Sequence, residues 1–169
     1  GDLTKSGAGD LILTADSVHT GATMIQNGRL QLGDGGTAGF VSGDILNNGA
    51  LAFNRADNLD VDALVSGTGD LEQSGPGNVV LTADNSYTGS TNVLAGGLYV
   101  NGNQSGATGA TTVAGGASLG GTGIIGGDVQ VNDGGTLAPG GTDATPGTLT
   151  IAGSLDLEPM SRLSYSFGQ

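Results

Sequence analysis

The sequence predicts an all-β solenoid, in which short strands stack in successive coils. The first observation is an internal repeat at an offset of 68 residues: Gly1-Asp2-Leu3 returns as Gly69-Asp70-Leu71, and Leu13-Thr14-Ala15-Asp16 returns as Leu81-Thr82-Ala83-Asp84. Self-similarity at a fixed spacing is the signature of a repeat architecture. The second is the glycine content, and the third is a series of short apolar segments separated by turn residues.

Glycine supplies 35 of the 169 residues, while aromatic residues make up 4% and tryptophan is absent. Large side chains therefore cannot fill a globular core, and the core must be thin and built from Val, Leu, Ile and Ala. A solenoid suits this supply because each coil buries a small surface against its neighbours. Disorder is the alternative for an acidic, glycine-rich chain, but 36% of the residues are hydrophobic and they are regularly patterned.

Short apolar alternations mark the predicted strands, and no segment shows a sustained helical period. In chain order they are Leu11–Leu13, Met24–Ile25, Leu30–Leu32, Ile45–Leu46, Leu51–Phe53, Leu59–Val65, Val79–Leu81, Val93–Leu94, Leu98–Val100, Thr112–Val113, Ile124–Ile125, Val129–Val131, Leu149–Ile151, Leu155–Leu157 and Leu163–Phe167. The long glycine-free stretch from Ala50 to Ser66 could suggest a helix, but the β-branched alternation in its second half favours strands.

The spacers between these strands have the chemistry of tight turns. Asn27-Gly28, Asn47-Asn48-Gly49 and Asn101-Gly102 all offer residues that tolerate positive φ. At about 20–25 residues per coil the chain holds roughly seven or eight coils, and at ~4.8 Å per layer it forms a rod about 35–40 Å long. We expect equivalent positions of the two repeat copies to stack one above another.

The chain reads as one solenoid fragment, residues 1–169, with repeat copies at 1–36 and 69–104. Residues 103–169 diverge from the repeat, since they are rich in Gly-Gly steps and contain three of the four prolines. This last section is expected to close the solenoid, because an open β edge invites aggregation. The chain does not start with Met and has no basic-then-apolar leader, so we expect it to continue upstream.

The net charge is −12, from 16 acidic residues against four Lys and Arg. This balance opposes binding to nucleic acid or to an anionic membrane surface, and its simplest effect is solubility. There is no Cys, so disulfides and thiolate chemistry are excluded. No apolar run is long enough to span a bilayer.

Asp57, Asp60 and Asp62 form the best candidate cluster for acid chemistry, with Arg55 nearby in sequence but otherwise lone. Asp60 and Asp62 would share one strand face, roughly 6–7 Å apart at Cα. The simpler interpretation, which we favour, is a solvated outer face opposite the apolar residues of the same strand.

Other chemical motifs fail on residue type or spacing. His19 is the single histidine, so a His-based triad and a multi-His zinc site are excluded; it aligns with Tyr87, which indicates a structural role. No Gly-Lys-Ser or Gly-Lys-Thr is present, and the Gly7–Asp10 and Gly67–Asp70 segments have the wrong phase for tandem Ca²⁺-binding nonapeptides. We therefore predict no catalytic, cofactor or metal-binding residues, and ligand-binding residues remain unknown.

The segment Ser74–Val93, continued to Leu98, resembles the passenger-associated repeat of autotransporters, the type V secreted proteins of Gram-negative bacteria. Ser6–Leu32 resembles a second copy that departs at His19 and Arg29. Residues 42–55 are similar to the segment that joins such repeats. Residues 115–123 and 135–140 are similar to the C-terminal part of these passengers.

The resemblance implies a right-handed parallel β-helix near the C-terminal end of a passenger, displayed outside the cell. In the full-length chain an outer-membrane β-barrel would follow it. The region would be a non-catalytic stalk that promotes folding from its C-terminal end, with residues 103–169 as a possible autochaperone or cap.

Two alternatives stay open. One is an adhesin face that binds host glycan or protein, for which Tyr87, Tyr99 and Phe40 are candidates if they form an exposed patch, although core filling is the favoured explanation of all three. The other is a polysaccharide-active β-helix, which would need a groove with convergent Asp and Arg.

Overall fold

The computed structural model describes residues 1–143 and 145–166, in which 21 strands and no helix are found. The strands are β1 Leu3–Lys5, β2 Asp10–Leu13, β3 Thr23–Ile25, β4 Arg29–Leu32, β5 Ile45–Asn47, β6 Ala50–Phe53, β7 Leu59–Val61, β8 Val65–Ser66, β9 Asp70–Gln73, β10 Asn78–Leu81, β11 Thr91–Val93, β12 Gly97–Val100, β13 Asn103–Gln104, β14 Thr111–Val113, β15 Ser118–Gly121, β16 Ile124–Ile125, β17 Val129–Val131, β18 Thr136–Pro139, β19 Thr150–Ile151, β20 Leu155–Leu157 and β21 Arg162–Leu163.

These strands wind around a three-sided solenoid. Side 1 carries a sheet of β1, β3, β5 and β8, followed by a sheet of β13, β16 and β19. Side 2 carries one continuous sheet of eight strands, β2-β4-β6-β9-β11-β14-β17-β20, and side 3 carries β7-β10-β12-β15-β18-β21. All strand pairs are parallel, and eight strands on side 2 correspond to about seven turns of the coil. The predicted β-solenoid is confirmed.

Alternation along each strand explains the core. On side 2 the column Leu30, Leu51 and Leu71 points inward and is fully buried. On side 3 Leu59, Val79, Leu98, Leu119 and Leu137 form the matching inward column. Each coil thus adds one layer of aliphatic side chains to a continuous core.

Side chains at the corners tie consecutive coils together. The Asp70 carboxylate accepts a hydrogen bond from the Ser90 N–H at 2.8 Å, twenty residues further along the chain. Asp84 accepts in the same way from the Asn103 N–H at 2.7 Å. These Asp carboxylates satisfy backbone donors where the chain bends and the sheet ladder is interrupted.

The two repeat copies do not stack one above another, contrary to the expectation from the sequence. The first copy places β1 and β3 on side 1, and β2 and β4 on side 2. The equivalent strands of the second copy are β9 and β11 on side 2, and β10 and β12 on side 3. The reason is the coil length: Leu71 pairs with Thr91, so a coil takes about twenty residues and 68 is not a whole number of coils.

The predicted strand positions agree with most of the structure, with two kinds of difference. Five strands were not predicted, namely β1, β9, β13, β15 and β18. The predicted strand Leu163–Phe167 is reduced to Arg162–Leu163, and its last residue lies outside the described residues. Strands such as β15, with sequence Ser-Leu-Gly-Gly, form because neighbouring coils on both sides supply ladder partners.

Candidate functional site

The acidic cluster predicted from the sequence lies on the outer surface of side 3. Asp60 is exposed in the middle of β7, and Asp62 is exposed just after it. Leu59 and Val61 on the same strand are buried, as the alternation predicted. Asp60 neighbours Val80 in the next coil, so its carboxylate lies beside an aliphatic side chain.

Arg55 is not lone, which corrects the expectation from the sequence. Its side chain is buried and donates to both carboxylate oxygens of Asp57, from Nε at 2.9 Å and from Nη2 at 2.8 Å. It also donates to the carbonyls of Thr37 and Gly39, and Asp16 lies 3.7 Å away. Arg55 therefore fastens the long segment between β4 and β5 to the body of the solenoid.

The environment of Asp57 follows from this clamp. The hydrogen bonds from Arg55 hold the pKa of the Asp57 carboxyl below its usual value. A lowered pKa favours a permanently ionised partner of Arg55, the opposite of what a general acid requires. The arrangement indicates a structural ion pair.

His19 and Tyr87, which are equivalent in the two repeat copies, make equivalent contacts. The Tyr87 hydroxyl bonds Thr91 Oγ1 at 2.7 Å, and His19 Nε2 bonds Thr23 Oγ1 at 3.0 Å. Ser17 Oγ holds the other ring nitrogen of His19 at 2.5 Å. In both copies the ring side chain therefore spans a bend and bonds the first residue of the following strand, β3 or β11.

Tyr99 is the aromatic residue whose position best fits surface binding. It is half-buried and points outward from β12 on side 3. A Cβ at Gly97 would lie 2.7 Å from the Tyr99 ring, and one at Gly120 would lie 2.8 Å from it. The ring therefore lies against two strands at glycine positions. Phe40 packs against the core instead, and Tyr87 is 2% exposed.

A shallow depression of about 290 Å³ lies on the outer surface of side 2, near the end of the solenoid. Thr112, Gln130 and Asp156 come from three neighbouring strands, and Asp128 and Ser154 lie beside them. The Asp128 carboxylate is already used by the Ser154 N–H at 2.7 Å. The residues that line the depression include no Arg or His beside its carboxylates.

Further along side 2, Arg29 extends over Ala52 to reach two other strands. Its Nη2 donates to Glu72 Oε1 at 2.5 Å, and its Nη1 lies 3.8 Å from Asp10. Ala52 sits between them in the sheet and is fully buried. This ion pair spans β4, β6 and β9 on the outer surface.

A second kind of polar group lies at the corner after the first strand of each repeat copy. Gln73 donates from Nε2 to the carbonyls of Gly75 and Gly77, at 2.9 and 2.8 Å. Lys5 occupies the equivalent position, is 8% exposed, and donates from Nζ to the carbonyls of Gly7 and Asn27. Both side chains satisfy acceptors in a glycine-rich turn.

Residues 1–143 and 145–166 contain no group of three or more His, Asp or Glu side chains arranged to hold a metal ion. No helix with the length and apolar character needed to cross a bilayer occurs among them either.

Comparison with known proteins places the repeat in a defined class. The family model described as the passenger-associated-transport-repeat matches residues 3–32 and 71–100. Both matched segments fall within the two repeat copies. The first runs from β1 to the end of β4, and the second runs from β9 to the end of β12. The two repeat copies of this parallel β-solenoid therefore match passenger repeats.

A curated relative supports the same class. The chain is 52% identical over 103 residues to the adhesin BmaC autotransporter of Brucella suis biovar 1 (strain 1330). The match covers 60% of this chain and 3% of that protein, so the chain spans a small part of the relative's length. No solved structure matches.

Proposed function

We propose that this chain is a non-catalytic stalk and folding-promoting segment of an autotransporter passenger. The observation that carries the proposal is the uninterrupted eight-strand sheet of side 2, with its aliphatic inward column. A rod of this kind acts as a spacer between its two ends, because each coil stacks on its neighbours. Arg55 joins neighbouring coils through the carbonyls of Thr37 and Gly39, while Tyr87 and Gln73 stabilise bends within their own coils.

The folding role rests on the strand edges where residues 103–169 meet the preceding coil. β11 pairs with β14 over three residues, and β12 pairs with β15 over three residues. In the proposed mechanism, residues 103–169 order first and each preceding coil then docks on an existing strand edge. Every docking step adds ladder hydrogen bonds and one aliphatic layer.

A refolding comparison tests the folding role. Deleting residues 145–169 should slow refolding and lower its yield, as followed by far-UV circular dichroism after dilution from denaturant. The matched control deletes residues 1–20 at the opposite end, which should leave the refolding rate nearly unchanged. Equal rates for the full chain and the 145–169 deletion would contradict templating from this end, while leaving the stalk role intact.

In the full-length protein the stalk would stand between a C-terminal outer-membrane β-barrel and more distal parts of the passenger. This arrangement is part of the proposal. It is supported by the repeat class and by the autotransporter relative.

A second candidate function is adhesion through the outer surface of side 3. The orientation of Tyr99 favours it, since one side of the ring lies against Gly97 and Gly120 and the residue is half-exposed. Flat aromatic surfaces beside polar groups bind sugar rings, and Ser118 and Thr136 point outward on β15 and β18, the next two strands of the sheet. Binding of the chain to a host-glycan array, lost in Tyr99→Ala and kept in Tyr99→Phe, would support this function. An array without signal would contradict adhesion to glycans and would leave the stalk role as the proposed function.

A further inference from the structure

The turn between β3 and β4 places an asparagine side chain against the backbone nitrogen of the following glycine. The Gly28 N–H donates to the Oδ1 of its own neighbour, Asn27, at 2.8 Å. Gly28 has φ of +71° and no side chain to block approach to its nitrogen. Asn27 is exposed, so water reaches the amide.

A buried cation acts on the same peptide bond. Lys5 Nζ donates to the Asn27 carbonyl oxygen at 3.1 Å, and that carbonyl belongs to the Asn27–Gly28 peptide. When the Gly28 nitrogen loses its proton, the negative charge is shared with this oxygen. An ammonium group placed where charge develops stabilises the reactive form of the nitrogen.

We propose that Asn27–Gly28 is a site of spontaneous deamidation, assisted by Lys5. Hydroxide or water removes the proton of the Gly28 nitrogen, which attacks Cγ of Asn27. The bond from Cγ to the side-chain nitrogen breaks, and ammonia leaves with a proton. Water then opens the resulting succinimide ring, giving aspartate if the side-chain carbonyl is attacked and isoaspartate if the main-chain carbonyl is attacked.

The chain contains two further Asn-Gly pairs that lack this arrangement. Asn48 Oδ1 accepts from Thr68 in the next coil, at 3.2 Å from N and 3.3 Å from Oγ1. Asn101 Oδ1 accepts from Thr122 in the same way, at 3.1 Å from N. The following glycine nitrogens bond elsewhere, to Asn47 Oδ1 and to the Leu81 carbonyl. Proximity therefore favours reaction at Asn27.

The second repeat copy is a built-in comparison. The positions equivalent to Lys5, Asn27 and Gly28 are Gln73, Ala95 and Gly96. Gly96 keeps the positive φ, at +58°, so the turn is the same. The amide and the cation are both absent there, which confines the reaction to the first copy.

The reaction would change the joint between the first two coils. Both products replace a neutral amide by a carboxylate near the Lys5 ammonium. Isoaspartate also adds one methylene to the main chain, in a turn where Gly28 accepts from the Ala50 N–H at 2.9 Å. The isoaspartyl form should therefore show a lower denaturation midpoint than the aspartyl form.

The test follows the three Asn-Gly sites in the folded 169-residue chain at 37 °C and neutral pH. Peptide mapping by mass spectrometry quantifies aspartate and isoaspartate at each site over time. Asn27 should convert at least about ten-fold faster than Asn48 and Asn101. In urea the three rates should come within a few-fold of one another. Two results would overturn the proposal: equal rates at the three sites in the folded chain, or a rate at Asn27 that still exceeds the other two about ten-fold in urea.

The role of Lys5 has its own variants. Lys5→Gln copies the residue of the second repeat and should slow conversion at Asn27 about ten-fold, with Asn48 and Asn101 unchanged. Ala95→Asn combined with Gln73→Lys transfers the site to the second copy and should give faster conversion at position 95 than Ala95→Asn alone. An unchanged rate at Asn27 in folded Lys5→Gln, or no difference between the two second-copy variants, would overturn the assistance.

Discussion

Arg55 shows how one side chain organises a segment that the strands leave free. The chain between β4 and β5 has no strand, yet its carbonyls at Thr37 and Gly39 accept from the Arg55 guanidinium. The planar guanidinium satisfies these acceptors together with both oxygens of Asp57. No sequence pattern announces such a contact, because the acceptors are main-chain atoms sixteen and eighteen residues away.

Arg55→Met should destabilise the protein by about 2 kcal/mol, since it removes a buried donor from several acceptors. Urea denaturation measures the loss, and limited proteolysis should show new cleavage within residues 34–40. Arg29→Met is the matched control, because its ion pairs lie on the outer surface and should contribute less than about 1 kcal/mol. Equal effects of the two substitutions would contradict the clamp.

Tyr87 should give the protein a specific sensitivity to alkali. Burial raises the pKa of Tyr87 from 10.0 to about 12, and the hydrogen bond with Thr91 offsets part of that rise. The folded-state pKa is raised, so the contribution to stability is complete below pH 10 and is lost as the pH rises through about 12. The denaturation midpoint of the parent chain should fall over this range.

Tyr87→Phe should remove that part of the pH dependence, while costing about 1 kcal/mol at neutral pH through the lost hydrogen bond. Denaturation curves between pH 8 and pH 12 measure both effects. Tyr99→Phe also removes one phenol, but from the outer surface, and serves as control. A parent chain and a Tyr87→Phe variant with parallel pH profiles would show that Tyr87 is not responsible.

At the scale of elements, glycines at equivalent positions of the two repeat copies differ in how closely they are packed. Gly7 and Gly75 occupy the same place in the two copies. A Cβ at Gly75 would lie 2.2 Å from the Arg55 backbone nitrogen and 2.3 Å from its carbonyl oxygen. At Gly7 nothing lies within 4 Å. The difference arises because Gly75 is pressed against the preceding coil, whereas Gly7 lies in the first coil of this chain.

Gly75→Ala should therefore destabilise the chain by about 3 kcal/mol, at the upper end of the cost of overpacking, because rigid backbone must move. Gly7→Ala should leave stability within about 0.5 kcal/mol, the usual range for surface substitutions. Urea denaturation of the two variants makes the comparison. Similar effects would mean that the coils are not in the close contact described.

The elements also show what the sequence could and could not predict. Alternating apolar segments such as Leu59–Val61 and Val79–Leu81 were identified because both inward positions are aliphatic. β15 and β18 were missed because glycine or proline occupies strand positions, and only the register with neighbouring coils makes them strands. On the surface, the exposure of Asp60 could be predicted from the alternation along β7. The position of the Tyr99 ring against Gly120 could not be predicted, because it depends on which strands lie side by side.

At the scale of the whole molecule, the coil is the unit that can be removed. Leu71 and Thr91 are paired neighbours on side 2, so deleting residues 71–90 joins Asp70 to the next coil at the same position on the same side. The shortened chain should unfold cooperatively, with an m-value reduced in proportion to the surface of one coil. Deletion of residues 1–20 removes the same length without a new junction and is the control. Loss of cooperative unfolding in the 71–90 deletion alone would contradict modular coils.

The rotation of the second repeat copy by one side has a consequence for valency. Any determinant that the repeat carries on its outer surface is presented twice, but toward different directions around the rod. A flat partner surface can reach one copy at a time, so the duplication alone gives no gain in avidity. Only a receptor that curves around the rod, or two separate receptors on adjacent sides, could engage both copies together.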